Sequence, residues 1–127
     1  MPGLWKPHRR FVVEHGMGHS SGMATEQQIQ ELCDDIARKF KPEKIILFGS
    51  YAYGKPRPDS GVDLLVVMPF KGNCIQKGAE MLRATNPGFA VDMLVRTPEE
   101  LEQRLGWNDL FMREIVEHGK VVHPIGG

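Results

Sequence analysis

The chain has 127 residues, in which 16 Lys and Arg balance 16 Asp and Glu, a length that supports one domain with a modest core. Zero net charge argues against a global basic field for general nucleic-acid binding, and no apolar run reaches the roughly 18–20 residues of a membrane span. Cys33 and Cys74 are the only cysteines, a usage that suits a reduced, cytoplasmic protein better than a disulfide scaffold.

Residues 1–23 carry early charges and are rich in Gly, His, Pro and Ser, without the apolar stretch of a secretory signal. They read as a poorly ordered leader ahead of a domain over 24–127. Glu14, His15 and His19 do not make a metal site, because Gly16 and Gly18 disfavour the helix that would pair the histidines. Thr25 with Gln28 three residues later predicts a capping box. Ile29, Leu32, Cys33, Ile36, Ala37 and Phe40 then recur at helical spacing, with Cys33 as plain core. Lys41-Pro42 ends this helix, and Lys44 to Phe48 is a short apolar strand.

Ser50 to Gly54 is predicted to form the first turn or two of a second helix, followed by a loop over Lys55 to Ser60. Val62 to Met68 is a nearly continuous apolar run with one charge, as expected of a strand covered on both faces. Gly72 to Thr85 reads as a helix stopped by Asn86-Pro87-Gly88, and Phe89 to Val95 as a third strand with one Asp. Thr97-Pro98-Glu99-Glu100 opens another helix with cap, proline and acid in place. A last helix runs from about Asn108 to His118, ends at Gly119, and leads to an edge strand at Val121-Val122. The expected fold is α/β in the α+β sense: a small mixed β-sheet with helices packed against it.

The chemistry concentrates in residues 49–63. Gly49 permits close backbone approach to a phosphate, Ser50 adds a hydroxyl donor, and a helix beginning there would add N–H groups and a positive dipole end. Asp63 and Asp92 lie in apolar strands, where an ionised carboxylate needs a partner or a metal. Carboxylates beside a triphosphate normally hold Mg²⁺.

Leu47-Phe48-Gly49-Ser50, ten intervening residues, and Gly61-Val62-Asp63-Leu64-Leu65-Val66 resemble the polymerase-beta-like nucleotidyltransferase superfamily, in particular its minimal nucleotidyltransferase group. The resemblance runs from the helix at Thr25 to the end of the chain and includes Val91-Asp92-Met93. It implies the nucleotidyltransferase fold and transfer of a nucleoside monophosphate from an NTP to an acceptor hydroxyl, with Mg²⁺ or Mn²⁺ as cofactor. Gly49 and Ser50 would bind the triphosphate; Asp63 and Asp92 would be the catalytic acids and metal ligands. The departures are Gly61, where the family carries the first aspartate of an Asp-x-Asp pair, and Tyr53, where many relatives have Arg. Lys55 or Arg57 is placed to supply that charge to the nucleotide, and Asp59 to replace the missing ligand.

Three readings follow from this pattern. One is a metal-dependent transferase with a reduced carboxylate set. Another, which the family resemblance implies, is an antitoxin-like binding partner of a HEPN-type helical protein, with little catalysis; a homo-oligomer is the other assembly expected. The third is a nucleotide-sensing domain without transfer. Trp107 is read as a packing residue, while Arg83 and Arg104 point to a partner or to the cleft.

Overall fold

The computed structural model describes residues 23–57 and 59–124. The expected leader therefore lies outside the described residues except for Met23.

Helix α1 spans Glu26–Phe40 and starts as a capping box: the Thr25 hydroxyl accepts from the Gln28 N–H, and the Gln28 side chain accepts from the Thr25 N–H. Lys41, in left-handed conformation, closes it and returns its N–H to Ala37. Strand β1 is Lys44–Phe48, β2 is Val62–Val67, helix α2 is Cys74–Thr85 and β3 is Val91–Arg96. Helix α3, Pro98–Gly106, begins with the Thr97 hydroxyl on the Glu100 N–H and proline in the first turn. Helix α4, Leu110–His118, begins at Asp109 and leads through Gly119 into β4, Lys120–His123. Every predicted helix and strand is present apart from one: Ser50–Gly54 is a series of turns, not a helix.

The sheet has the order β3-β2-β1-β4, with β1 antiparallel to both β2 and β4 and β2 parallel to β3. Alternation along the strands divides the core into two clusters. Val62, Leu64 and Val66 of β2, with Val91, Met93 and Val95 of β3, pack with α1 and α2 residues that include Ile36 and Met81. Leu65 and Val67 face the other way, joining Ile46 and Phe48 of β1 and Met112 and Ile115 of α4. Each Leu or Ile so buried contributes roughly 1.5–3 kcal/mol, which fixes the strands between two layers of helix. Asp63 and Asp92, by the same alternation, belong to the α4 side.

Gly119 shows how tightly α4 lies on the sheet. A Cβ there would sit 2.5 Å from Ile46 Cγ2 and 2.6 Å from the Ile115 carbonyl, so only glycine fits between helix and β1.

Candidate active site

Phe48, the last residue of β1, pairs with Asp63 near the start of β2, so Gly49 leaves the sheet beside that aspartate. Gly49 has φ 78°, a conformation that costs an L side chain, and a Cβ on it would lie 2.2 Å from Asp63 Oδ2. The carboxylate thus rests in the space that the missing side chain leaves. The Gly49 carbonyl accepts from Ala52 N–H at 3.0 Å and Tyr53 N–H at 3.1 Å, and Lys55 N–H returns to Ser50 O at 3.0 Å. The N–H groups of Ser50 and Tyr51 take part in none of these turn-closing bonds. A run this short and closed by glycine cannot support a helix, so the expected dipole of a second helix gives way to the backbone groups of one tight turn.

Asp63 and Asp92 are partners in the parallel register of β2 and β3. Residues paired in that way point to the same face from strands about 4.8 Å apart. Asp63 is half-buried and Asp92 is 1 % exposed. Two adjacent carboxylates in apolar surroundings form the hard oxygen donor set that a divalent cation takes. The cradle at Gly49 brings the first of them against the turn, and the residues therefore fit such an ion. Among the described residues no group of three or more His, Cys, Asp or Glu is placed to hold a metal. Gly61, buried two positions before Asp63, occupies the place on the same face from which a further carboxylate would reach in. With two protein carboxylates, the remaining ligands of an ion would be phosphate and water oxygens.

Lys55 and Arg57 are both exposed, Lys55 tied to the turn through its backbone and Arg57 held in the next one. Arg57 N–H donates to Ser60 Oγ at 3.0 Å and Ser60 N–H donates to Arg57 O at 2.9 Å, which sets Asp59 at the exposed tip of that closed turn. Arg104 is engaged in its own helix junction, 3.1 Å from Asp109 Oδ2, and Arg83 lines a groove on α2 with Lys71 and Lys77. Trp107 is 68 % exposed and is not a packing residue. The chain turns there from α3 into α4 through Asn108 at φ 63°, leaving the indole outside the fold.

Sequence reasoning missed Glu114 and the roles of two tyrosines. Tyr53 Oη donates to Glu114 Oε2 of α4 at 2.8 Å, and Tyr51 Oη accepts from Ala24 N–H at 3.0 Å. The Tyr53 hydroxyl is pushed up to about 12, first by burial and then by the hydrogen bond and charge of Glu114, so it remains a donor at neutral pH. Only the alternation of tyrosines within a glycine-bounded turn hinted at these anchors, because Tyr53 and Glu114 lie far apart in sequence.

The family model described as a nucleotidyltransferase domain matches residues 29–125. A protein of Methanocaldococcus jannaschii, named "Putative protein adenylyltransferase", is 28 % identical over 103 residues, covering 80 % of this chain and all of the relative. A crystal structure described as "a putative nucleotidyltransferase from Sulfolobus solfataricus" superposes with a TM-score of 0.51 at 25 % identity, covering 69 % of this chain and 85 % of that one. With the Gly-Ser turn, its two carboxylates and a match over most of its length, the chain belongs to the nucleotidyltransferase domain family.

Proposed function

We propose that this protein transfers a nucleoside monophosphate from an NTP to a hydroxyl group on a protein. The observation that carries the reading is the in-register pair Asp63 and Asp92 beside the Gly49-Ser50 turn. ATP is the donor and a protein the acceptor that the relative's description suggests. In this reading the backbone at Ser50 and Tyr51 and the Ser50 hydroxyl bind the triphosphate, and Lys55 and Arg57 bring positive charge from the loop.

The acceptor oxygen forms a bond to the α-phosphorus as the bond to the β-bridging oxygen breaks, and pyrophosphate leaves with that oxygen. The acceptor's proton passes to the Asp92 carboxylate and from there to solvent. Asp63 and Asp92 would hold Mg²⁺ or Mn²⁺, which when bound supplies charge neutralisation of the phosphates. Nothing in the reading requires a membrane, and among the described residues no helix is long and apolar enough to cross one.

Radiolabelled ATP, Mg²⁺ or Mn²⁺ and candidate acceptor proteins test the reading, with native, Asp63→Ala and Gly61→Asp chains side by side. Label on an acceptor with the native chain, lost in Asp63→Ala, supports it. Transfer by Gly61→Asp alone would overturn it in favour of a second reading, a binding partner of a helical HEPN-type protein with the chemistry reduced. That alternative draws on Gly61 and on the exposed Trp107 and Leu110, three positions apart where α3 turns into α4.

A further inference from the structure

The nucleotide turn is fastened to two different layers of the molecule. Tyr51 packs against the α1–α2 side of the core and takes the Ala24 N–H at 3.0 Å, tying the turn to the start of α1. Tyr53, two residues on, reaches the opposite layer and donates to Glu114 Oε2 at 2.8 Å. Glu114 is itself steadied: its other oxygen lies 3.4 Å from His118 Nδ1, and the neighbouring Ile115 is fully buried under the sheet. The helix that carries Glu114 has no freedom to follow a moving loop, since Gly119 packs it against Ile46 and Leu47.

Between the two tyrosines and Gly49 lie the backbone groups that the proposed function assigns to the triphosphate. Seven residues, Gly49 to Lys55, with three turn-closing backbone bonds have little stiffness of their own, and Gly49 and Gly54, both at φ 78°, lower it further. A hydrogen bond between a phenol and a carboxylate is among the stronger ones, and its loss here frees one side of the loop.

We propose that Glu114 is a positioning residue for nucleotide binding, acting through Tyr53 to hold the Gly49-Ser50 turn in the form that receives the triphosphate. This rests on the nucleotidyltransferase reading. Glu114 touches neither substrate nor the reacting atoms in this role. Position 53 is then a tether to α4 in this chain, so the positive charge expected there must come from elsewhere in the loop.

The test uses the full chain with the nonhydrolysable nucleotide α,β-methylene-ATP and Mg²⁺, comparing Tyr53→Phe, Glu114→Ala, Glu114→Gln and the double variant Tyr53→Phe/Glu114→Ala. Tyr53→Phe and Glu114→Ala are each expected to weaken nucleotide affinity about tenfold. The double variant should lose no more than either single one, and Glu114→Gln, which keeps an acceptor oxygen, should recover most of the affinity. Hydrogen exchange of amides 50–55 without nucleotide gives a second readout: it should accelerate in Tyr53→Phe while amides of α4 and the sheet keep their protection. Unchanged exchange in Tyr53→Phe, or additive losses in the double variant, would overturn the proposal. Faster exchange together with a native chain that binds no nucleotide would instead leave the tether standing and sink the nucleotidyltransferase reading.

Discussion

The two faces of the sheet are made from the same strands, residue by residue in alternation, yet they have different tasks. Toward α1 and α2, β2 and β3 present Val62, Leu64, Val66, Val91, Met93 and Val95, all buried. Toward α4 the same strands present Asp63 and Asp92 at one end and Leu65, Val67 and Leu94 beyond them. One face holds the fold together; the other is apolar only as far as α3 and α4 cover it and is acidic where β1 stops. In the proposed function, chemistry and stability are separated by a single residue step along a strand.

Exchanging the two tasks should produce the largest effect. Leu64→Asp places a charge where the native side chain is wholly enclosed, at a cost of roughly 4 kcal/mol or more, and its urea transition should be lost or shifted to very low denaturant. Asp63→Asn, one residue away on the acidic face, should fold normally and lose at least about a hundredfold in Mn²⁺-dependent nucleotide binding, measured by calorimetry. A folded Leu64→Asp protein, or an Asp63→Asn protein that unfolds, would mean that the faces are not divided in this way.

The glycines sharpen the same contrast. Gly49 and Gly54 share φ 78°, but only Gly49 has a neighbour, the Asp63 carboxylate, where a Cβ would go. Both Ala variants should lose about 1–2 kcal/mol for the backbone conformation, and only Gly49→Ala should also displace Asp63 and abolish nucleotide binding. Gly119→Ala meets two backbone carbonyls and Ile46, which cannot move aside cheaply. It should cost about 1–3 kcal/mol in denaturant unfolding, and any loss of nucleotide affinity should be smaller than that of Gly49→Ala, because it can reach the turn only through the Glu114 tether.

Much of this arrangement was legible in the chain. Thr25 with Gln28 and Thr97 with Pro98 marked helix starts through local hydrogen bonding, and the apolar runs around Asp63 and Asp92 marked strands covered on both faces. What remained hidden depends on contacts between distant segments. Two acids on two strands do not reveal their register, and it is the parallel pairing that sets Asp63 beside Asp92. The bond from Tyr53 to Glu114 likewise has no local signature. Ser50 to Gly54 carries a glycine stop like that of a helix end, but five residues, the last of them that glycine, fall below the length at which propagation repays nucleation. The exposure of Trp107 has no sequence signature, because an aromatic near a helix junction carries no periodicity to say which side of the junction it faces.

The smallest effect concerns the cysteines and probes the apolar face directly. Cys33, on the α1 side, is 1 % exposed, and burial, with the charge of Asp34 adding to it, pushes its thiol from 9.0 up to about 12. Cys74, at the first position of α2, is half-buried. In the native protein a thiol reagent should therefore titrate Cys74 alone, with Cys33 reacting only on unfolding. The raised value also has a stability consequence whose sign is fixed by linkage. Below about pH 9 both folded and unfolded chains keep the Cys33 proton; between there and about pH 12 only the folded chain does, so its contribution to stability is progressively lost as pH rises. Urea midpoints at pH 8 and pH 10 should fall further for the native chain than for Cys33→Ala, which has no thiol to ionise. Equal declines would show that the face against α1 admits water and does not hold the thiol neutral.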